Sequence, residues 1–205
     1  MKGKSMSKSK VRQMVSMVKL ELPPTIKVNE GQFFDFCQVN KDLRIERDTS
    51  GELIIMSPTG GKTGRRNFTL IKLLSRLEDN NSDWVGFDSS TGFRLPNGAI
   101  RSPDVAFLRK TKWESLTSEQ QEKFIPLCPD FVIELRSATD SLVDLKEKMQ
   151  EYINNGSSLG WLIDPLEKKV HVYSISQQES LINPTSISAA PFIFDFVLQL
   201  TDLWR

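Results

Sequence analysis

Apolar positions along this chain switch between two spacings: short continuous or alternating runs, and longer stretches in which apolar side chains recur every three or four residues. Three runs stand out. They are Ser102-Pro103-Asp104-Val105-Ala106-Phe107-Leu108, Pro129-Asp130-Phe131-Val132-Ile133-Glu134-Leu135-Arg136-Ser137, and Leu159-Gly160-Trp161-Leu162-Ile163-Asp164-Pro165. Between the last two, Leu142, Leu145, Met149, Tyr152 and Ile153 keep helical spacing, which predicts a helix from about Ser141 to Asn155, with Ser141 and Asp144 as a capping pair and Asn155-Gly156 as its end. Strand, helix, strand in that order predicts a right-handed crossover and a partly parallel sheet.

Hairpins supply the rest. Asn29 and Gln32 form a capping box for a helix from Glu30 to about Asn40, with Phe33, Phe36, Cys37 and Leu43 at helical spacing. Leu43 to Arg47 and Glu52 to Met56 flank the turn Asp48-Thr49-Ser50-Gly51, and Ser57 to Gly61 breaks the second strand. A helix then runs to roughly Glu78 with Phe68, Ile71, Leu74 and Leu77 on one face; Lys62, Arg65 and Arg66 in its first turn oppose the helix dipole. That placement suits either a solvated surface or an external anion. Trp84 to Phe87 and Thr91 to Leu95 read as strands, Pro96-Asn97-Gly98 as a turn, and Lys110 to Lys123 as a helical excursion anchored by Trp113, Leu116 and Phe124. Val170 to Ile175 is a further strand, a polar loop follows, and Phe192 to Leu198 is a last apolar run. The expected fold is α/β, a mixed sheet flanked by helices, with an N-terminal helix and β-hairpin extension.

Composition places the chain among globular domains: 205 residues, 39% apolar, 26% charged. With no apolar run long enough to span a bilayer and no secretion signal in residues 1–18, a cytoplasmic protein without membrane contact is expected. The net charge of +1 hides an asymmetry, because Lys2, Lys4, Lys8, Lys10, Arg12 and Lys19 precede the first acid, Glu21. Residues 1–20 therefore read as a flexible basic tail and 21–205 as one domain. Cys37 and Cys128 lie far apart with no histidine nearby, which excludes a zinc site and a disulfide framework and leaves two buried thiols. The lone His171, between Val170 and Val172, reads as an outward strand residue, which removes Ser-His-Asp hydrolysis. Gly60-Gly61-Lys62-Thr63 lacks the leading glycine of a phosphate-binding loop, since Met56 stands there.

The acids inside apolar strands are the chemical signal. An unpaired charge in a strand buried on both faces costs several kcal/mol, so Glu134 requires either a cation partner or a metal. If Asp104 and Glu134 lie on neighbouring strands, a hard divalent ion such as Mg²⁺ would relieve their repulsion, polarise a phosphoryl oxygen and activate water. Two cations are candidates to complete such a site. Lys148 shares a helix face with Asp144 and Tyr152 and suits the catalytic role, as a compact charge whose pKa can shift; Arg136, two residues after Glu134, suits a substrate phosphate or a structural pair. Structural ion pairs among the same residues are the competing reading.

The order Ser102-Pro103-Asp104-Val105, Val132-Ile133-Glu134-Leu135-Arg136-Ser137, Asp144-Leu145 with Lys148 and Tyr152, and Gly160 to Pro165 resembles the Uma family of restriction-endonuclease-like proteins, within the PD-(D/E)XK nuclease superfamily. The similarity extends to Arg44-Ile45-Glu46 and Gly51 to Gly61. The resemblance implies a restriction-endonuclease-like fold, Asp104 and Glu134 as metal ligands, and Lys148 as a catalytic lysine displaced from strand to helix. It also points to Glu46 as an additional acid at the metal, beside its alternative as a solvated hairpin residue. The sequence departs from Glu-x-Lys at Arg136. The implied activity is Mg²⁺-dependent endonucleolytic hydrolysis of DNA, with Mn²⁺ able to substitute and a homodimer suited to two-strand cutting. The alternative is an inactive member of the fold acting as a DNA-binding or regulatory scaffold.

Overall fold

Every residue of Phe131–Leu135 (β8) and Leu159–Asp164 (β9) is buried, as their two-sided apolar pattern requires. In the computed structural model, which describes residues 17–205 apart from Pro24, Thr25, Lys27, Asn81 and Ser82, these two strands pair in parallel, with Glu134 opposite Leu162. They form the centre of a six-stranded sheet. Outward from β8 come Val105–Arg109 (β7) and Trp84–Asp88 (β4); outward from β9 come Lys169–Ser174 (β10) and Gln178–Ile182 (β11), all antiparallel to their neighbours.

The connection between β8 and β9 is the helix Leu142–Asn154 (α5), whose Leu145, Met149, Tyr152 and Ile153 are buried against the sheet. Its seat is made by Gly160, where a Cβ would come within 2.4 Å of Met149 Cε. A larger residue there would force the flexible end of Met149 to repack under the helix. On the opposite face lies the helix Gly61–Asn80 (α2), which buries Leu70, Leu74 and Leu77.

A second sheet, five-stranded, runs in the order Met17–Leu20 (β1), Leu53–Met56 (β3), Arg44–Arg47 (β2), Ile100–Arg101 (β6), Phe93–Arg94 (β5). Beside it stands the helix Glu30–Val39 (α1), opened by the Asn29/Gln32 capping box. The two short helices Lys110–Glu114 (α3) and Ser118–Gln121 (α4) form the excursion after β7, and Ser186–Ser188 (β12) pairs with Val197–Gln199 (β13). The chain passes from β6 of the small sheet through Ser102-Pro103-Asp104 directly into β7 of the large one. That crossing point is where the candidate site forms.

The mixed α/β architecture is the expected one, with several local differences. Residues 1–16 of the expected tail lie outside the described residues, while Met17–Leu20 pairs with β3 and belongs to the domain. On α2, Phe68 is 64% exposed and Ile71 41% exposed; the Leu70/Leu74/Leu77 stripe, at equally good helical spacing, wins the core. Of the apolar positions assigned to α1, only Phe33 is fully buried. The strand expected over Thr91 to Leu95 shortens to β5, and the polar loop after β10 contains the edge strand β11. His171 is 5% exposed, because it shares the Tyr173 face of β10 that α5 covers, and its Nδ1 lies 2.7 Å from Ser180 Oγ on the neighbouring strand β11. No helix among the described residues is long and apolar enough to cross a membrane.

Candidate active site

Strand periodicity decides where the acids go. On β7 and β8, Val105, Phe107, Phe131, Ile133 and Leu135 face the α2 side, while Ala106, Leu108 and Val132 face α5. Glu134 shares the parity of Val132, and Asp104 shares that of Ala106. Since Val105 stands opposite Ile133, Asp104 falls beside Glu134 at the same edge. The register is closed by a hydrogen bond from Leu135 N to Asp104 Oδ2, 2.9 Å. Both carboxylates open into a cleft of about 670 Å³ between the two sheets and α5.

Lys148, projected from α5, reaches the same place. Its Nζ lies 2.8 Å from Glu134 Oε1 and 2.8 Å from Glu46 Oε1. Glu46, on β2 and 2% exposed, is therefore no solvated hairpin residue. Both of its oxygens are engaged: Oε1 also accepts the Ser102 amide at 2.9 Å, and Oε2 faces Arg101 Nη1 at 3.3 Å. Tyr152, one turn beyond Lys148, is fully buried and donates its hydroxyl to Glu134 Oε1 at 3.1 Å. It thus serves the core with its ring and the site with its oxygen.

The electrostatics are uneven. Burial pushes the Glu134 carboxyl up to about 7, with Asp104 and Glu46 adding to the rise against the opposing pull of Lys148. For Glu46 burial also works upward, but Lys148 and Arg101 outweigh it and hold the carboxyl below its ordinary value. Burial works to lower Lys148, yet the two glutamates keep it above the ordinary lysine value. The lysine is thus a fixed positive charge at neutral pH, not a base. Arg44 Nη1 stands 3.4 Å from Asp104 Oδ1, and Arg101 Nε donates to Glu151 Oε2 at 2.6 Å. Around the cleft, nine acidic side chains face four basic ones.

The structure brings Asp104, Glu134, Lys148 and Glu46 together, and leaves Arg136 out. Arg136 lies one residue beyond β8 and turns away to Asp164, with Nη1 2.7 Å from Oδ2; it does not line the cleft. The assignment of Arg136 to a substrate phosphate is corrected to a structural pair, because fully buried Asp164 claims its charge. Three contributors escaped the sequence reading: Arg101, Glu151 and the role of Arg44. Their signal was present but faint, since Arg101 directly precedes Ser102-Pro103-Asp104 and Glu151 lies one turn after Lys148.

Among the described residues no three His, Cys, Asp or Glu side chains come together as a metal cluster. The donor set is the Asp104/Glu134 pair, which fits a small hard cation that keeps most of its water and takes only one or two carboxylates. The negative surplus and the raised Glu134 pKa both favour an added positive charge.

Residues 31–201 match a family described as "Uma2: Putative restriction endonuclease". Among solved structures the chain is similar to "a putative nuclease belonging to DUF820 from Anabaena variabilis ATCC 29413", with a TM-score of 0.64 and 21% identity over 78% of this chain and 89% of that one. The likeness is one of fold, the mixed α/β sheet flanked by helices described above. No curated protein matches the chain.

Proposed function

The chain belongs to the Uma2 family, and from that membership and the chemistry of the cleft we propose a metal-dependent endonuclease that hydrolyses phosphodiester bonds in DNA. The observation that carries this reading is the convergence of Asp104, Glu134 and Lys148 from two strands and a helix on one cleft. Asp104 and Glu134 would hold Mg²⁺ or Mn²⁺, which when bound polarises a phosphoryl oxygen and makes water a nucleophile near neutral pH. Lys148, kept protonated by its two glutamates, offsets charge that develops on the phosphoryl oxygens. Glu46 fixes the lysine and is itself fixed by the Ser102 amide and Arg101. Tyr152 orients Glu134 without giving up its proton, since burial and the neighbouring glutamates raise its hydroxyl well above the ordinary value. Glu46 is thus a support for Lys148 in this reading, not a ligand.

The test is cleavage of plasmid DNA by purified protein with Mg²⁺ or Mn²⁺. Lys148→Met should lower the rate by about 100-fold or more, in the range seen when one charge-stabilising donor is removed. Undiminished cleavage in that variant would remove Lys148 from the chemistry. One observation favours the scaffold reading instead: Lys148 already bridges Glu134 and Glu46, as a permanent internal pair would. That reading predicts no metal-dependent cleavage by the wild-type protein.

A further inference from the structure

The cleft is acidic, so a polyanion entering it needs positive charge elsewhere on the protein. The helix α2 supplies it at the rim. Thr63 and Asn67 on α2 line the cleft, and from Gly61 through Leu77 the helix carries Lys62, Arg65, Arg66, Lys72 and Arg76 with no acid at all. Its first turn lacks the acid that helix dipoles favour and carries Lys62 instead, so the cations nearest the N-terminus cost the helix some stability where they stand.

Their surroundings do not account for them. Lys62, Arg65, Lys72 and Arg76 are exposed and make no ion pair among the described residues. Other surface lysines are matched in part: Lys110 pairs with Glu114, Lys123 with Glu119 and Lys169 with Glu167, while exposed Lys41 and Lys168 stand singly among the described residues; what sets α2 apart is four such cations on one helix. Turning about 100° per residue, the helix presents Arg65, Phe68, Lys72 and Arg76 on one outer face, and Ile71 and Phe68 bridge that face to the cleft side. Phe68, at 64% exposure, is an aromatic ring amid cations. Gly64 has open space where a Cβ would stand, so the fold has no need of glycine there, and bare backbone permits close approach.

We propose that the outer face of α2 is the nucleic-acid-binding surface, with Arg65, Lys72 and Arg76 on the phosphodiester backbone and Phe68 against a sugar or base, holding the strand whose next phosphates enter the cleft. This deepens, and rests on, the nuclease reading above. Alternating cations and an exposed ring suit a strand with regularly spaced phosphates and apolar faces between them. A basic helix with apolar residues can also lie on anionic lipid, but a phosphodiester strand can also pass from this face around the N-terminal turns of α2, where Thr63 and Asn67 line the cleft.

The experiment is fluorescence anisotropy of a labelled DNA duplex with the full chain, carried in a Glu134→Gln background so that binding is read without cleavage. Wild-type α2 is compared with the combined Arg65→Gln, Lys72→Gln and Arg76→Gln variant across about 50 to 200 mM salt. A control variant removes equal charge at Lys110, Lys123 and Lys168. The α2 variant should bind about tenfold or more weakly, with a salt slope shallower by about 2 to 3, while the control changes little. Phe68→Ala should weaken binding without altering that slope. Equal binding and slope in the α2 variant, an equal loss in the control, or loss of anionic-vesicle binding with duplex binding intact would each overturn the proposal. Thermal melting confirms folding, and because the three substituted side chains are exposed and unpaired among the described residues, Tm should stay unchanged. Cleavage measured separately, in chains with native Glu134, distinguishes the two failures: activity without dependence on α2 keeps the nuclease reading and discards this one.

Discussion

Two acids sit buried on neighbouring strands of the same sheet, Glu134 on β8 and Asp164 at the end of β9, and their surroundings could hardly differ more. Asp164 is closed. Its Oδ2 takes Arg136 at 2.7 Å and its Oδ1 takes the amides of Leu166 and Glu167, so one charge meets one charge and the turn supplies the rest. Glu134 is open. It shares a single lysine with Glu46, faces Asp104 across the strand pair, and has its carboxyl pushed up to about 7. Burial of an acid therefore says little about function by itself. What separates a structural acid from a candidate catalytic one is whether the neighbours neutralise it, and at Glu134 they do so only in part.

The sharpest way to break this comparison is to remove each acid in turn. Asp164→Ala takes the main partner from half-buried Arg136 and strips the amides of Leu166 and Glu167 of their acceptor, and should cost about 3 to 5 kcal/mol in denaturant unfolding. Glu134→Gln keeps the shape and relieves repulsion, and should cost less than about 1 kcal/mol at pH 8 or even stabilise. Equal losses in both variants would make Glu134 structural too.

A pH series sharpens the same point. The folded Glu134 pKa of about 7 lies above the ordinary value of 4.5, so the folded state binds the extra proton between those limits. The corresponding stability is present below about pH 4.5 and is lost as pH rises through 7, amounting to on the order of 3 kcal/mol. Metal-free wild type should therefore lose Tm relative to Glu134→Gln over that window, and parallel curves for the two proteins would contradict the charge imbalance. A smaller effect than either the Asp164 loss or the pH-dependent change belongs to Tyr152→Phe, which deletes one hydrogen bond while keeping the ring. Unfolding should show a loss of about 0.5 to 1.5 kcal/mol, with a larger proportional change in cleavage rate if the hydroxyl orients Glu134.

The sequence carried the centre of the fold clearly. Two-sided apolar runs read as buried strands and the Leu145/Met149/Tyr152 stripe between them as a helix covering the sheet, so period made Glu134, Asp104 and Lys148 candidates, and the resemblance to the Uma family set them above a structural ion-pair network. Parity then explains why both strand acids face α5. Less legible was anything decided by packing between distant elements. Nothing local says that α5 will cover the His171 face of β10, that Leu70 will displace Phe68 from the core, or that β6 will pair with β2 and bring Arg101 beside Glu46. Arg136 illustrates the limit most plainly: at i+2 from Glu134 it shares the acid's face on an ideal strand, but β8 ends at Leu135 and the guanidinium goes to Asp164.

Isothermal titration of Mn²⁺ into the metal-free protein at pH 8 probes the cleft most directly. Saturable binding at millimolar concentration or below, abolished by Glu134→Gln and by Asp104→Asn and retained in Arg136→Gln, is the predicted result. Absence of binding in the wild type, or binding that survives loss of Glu134, would contradict the account.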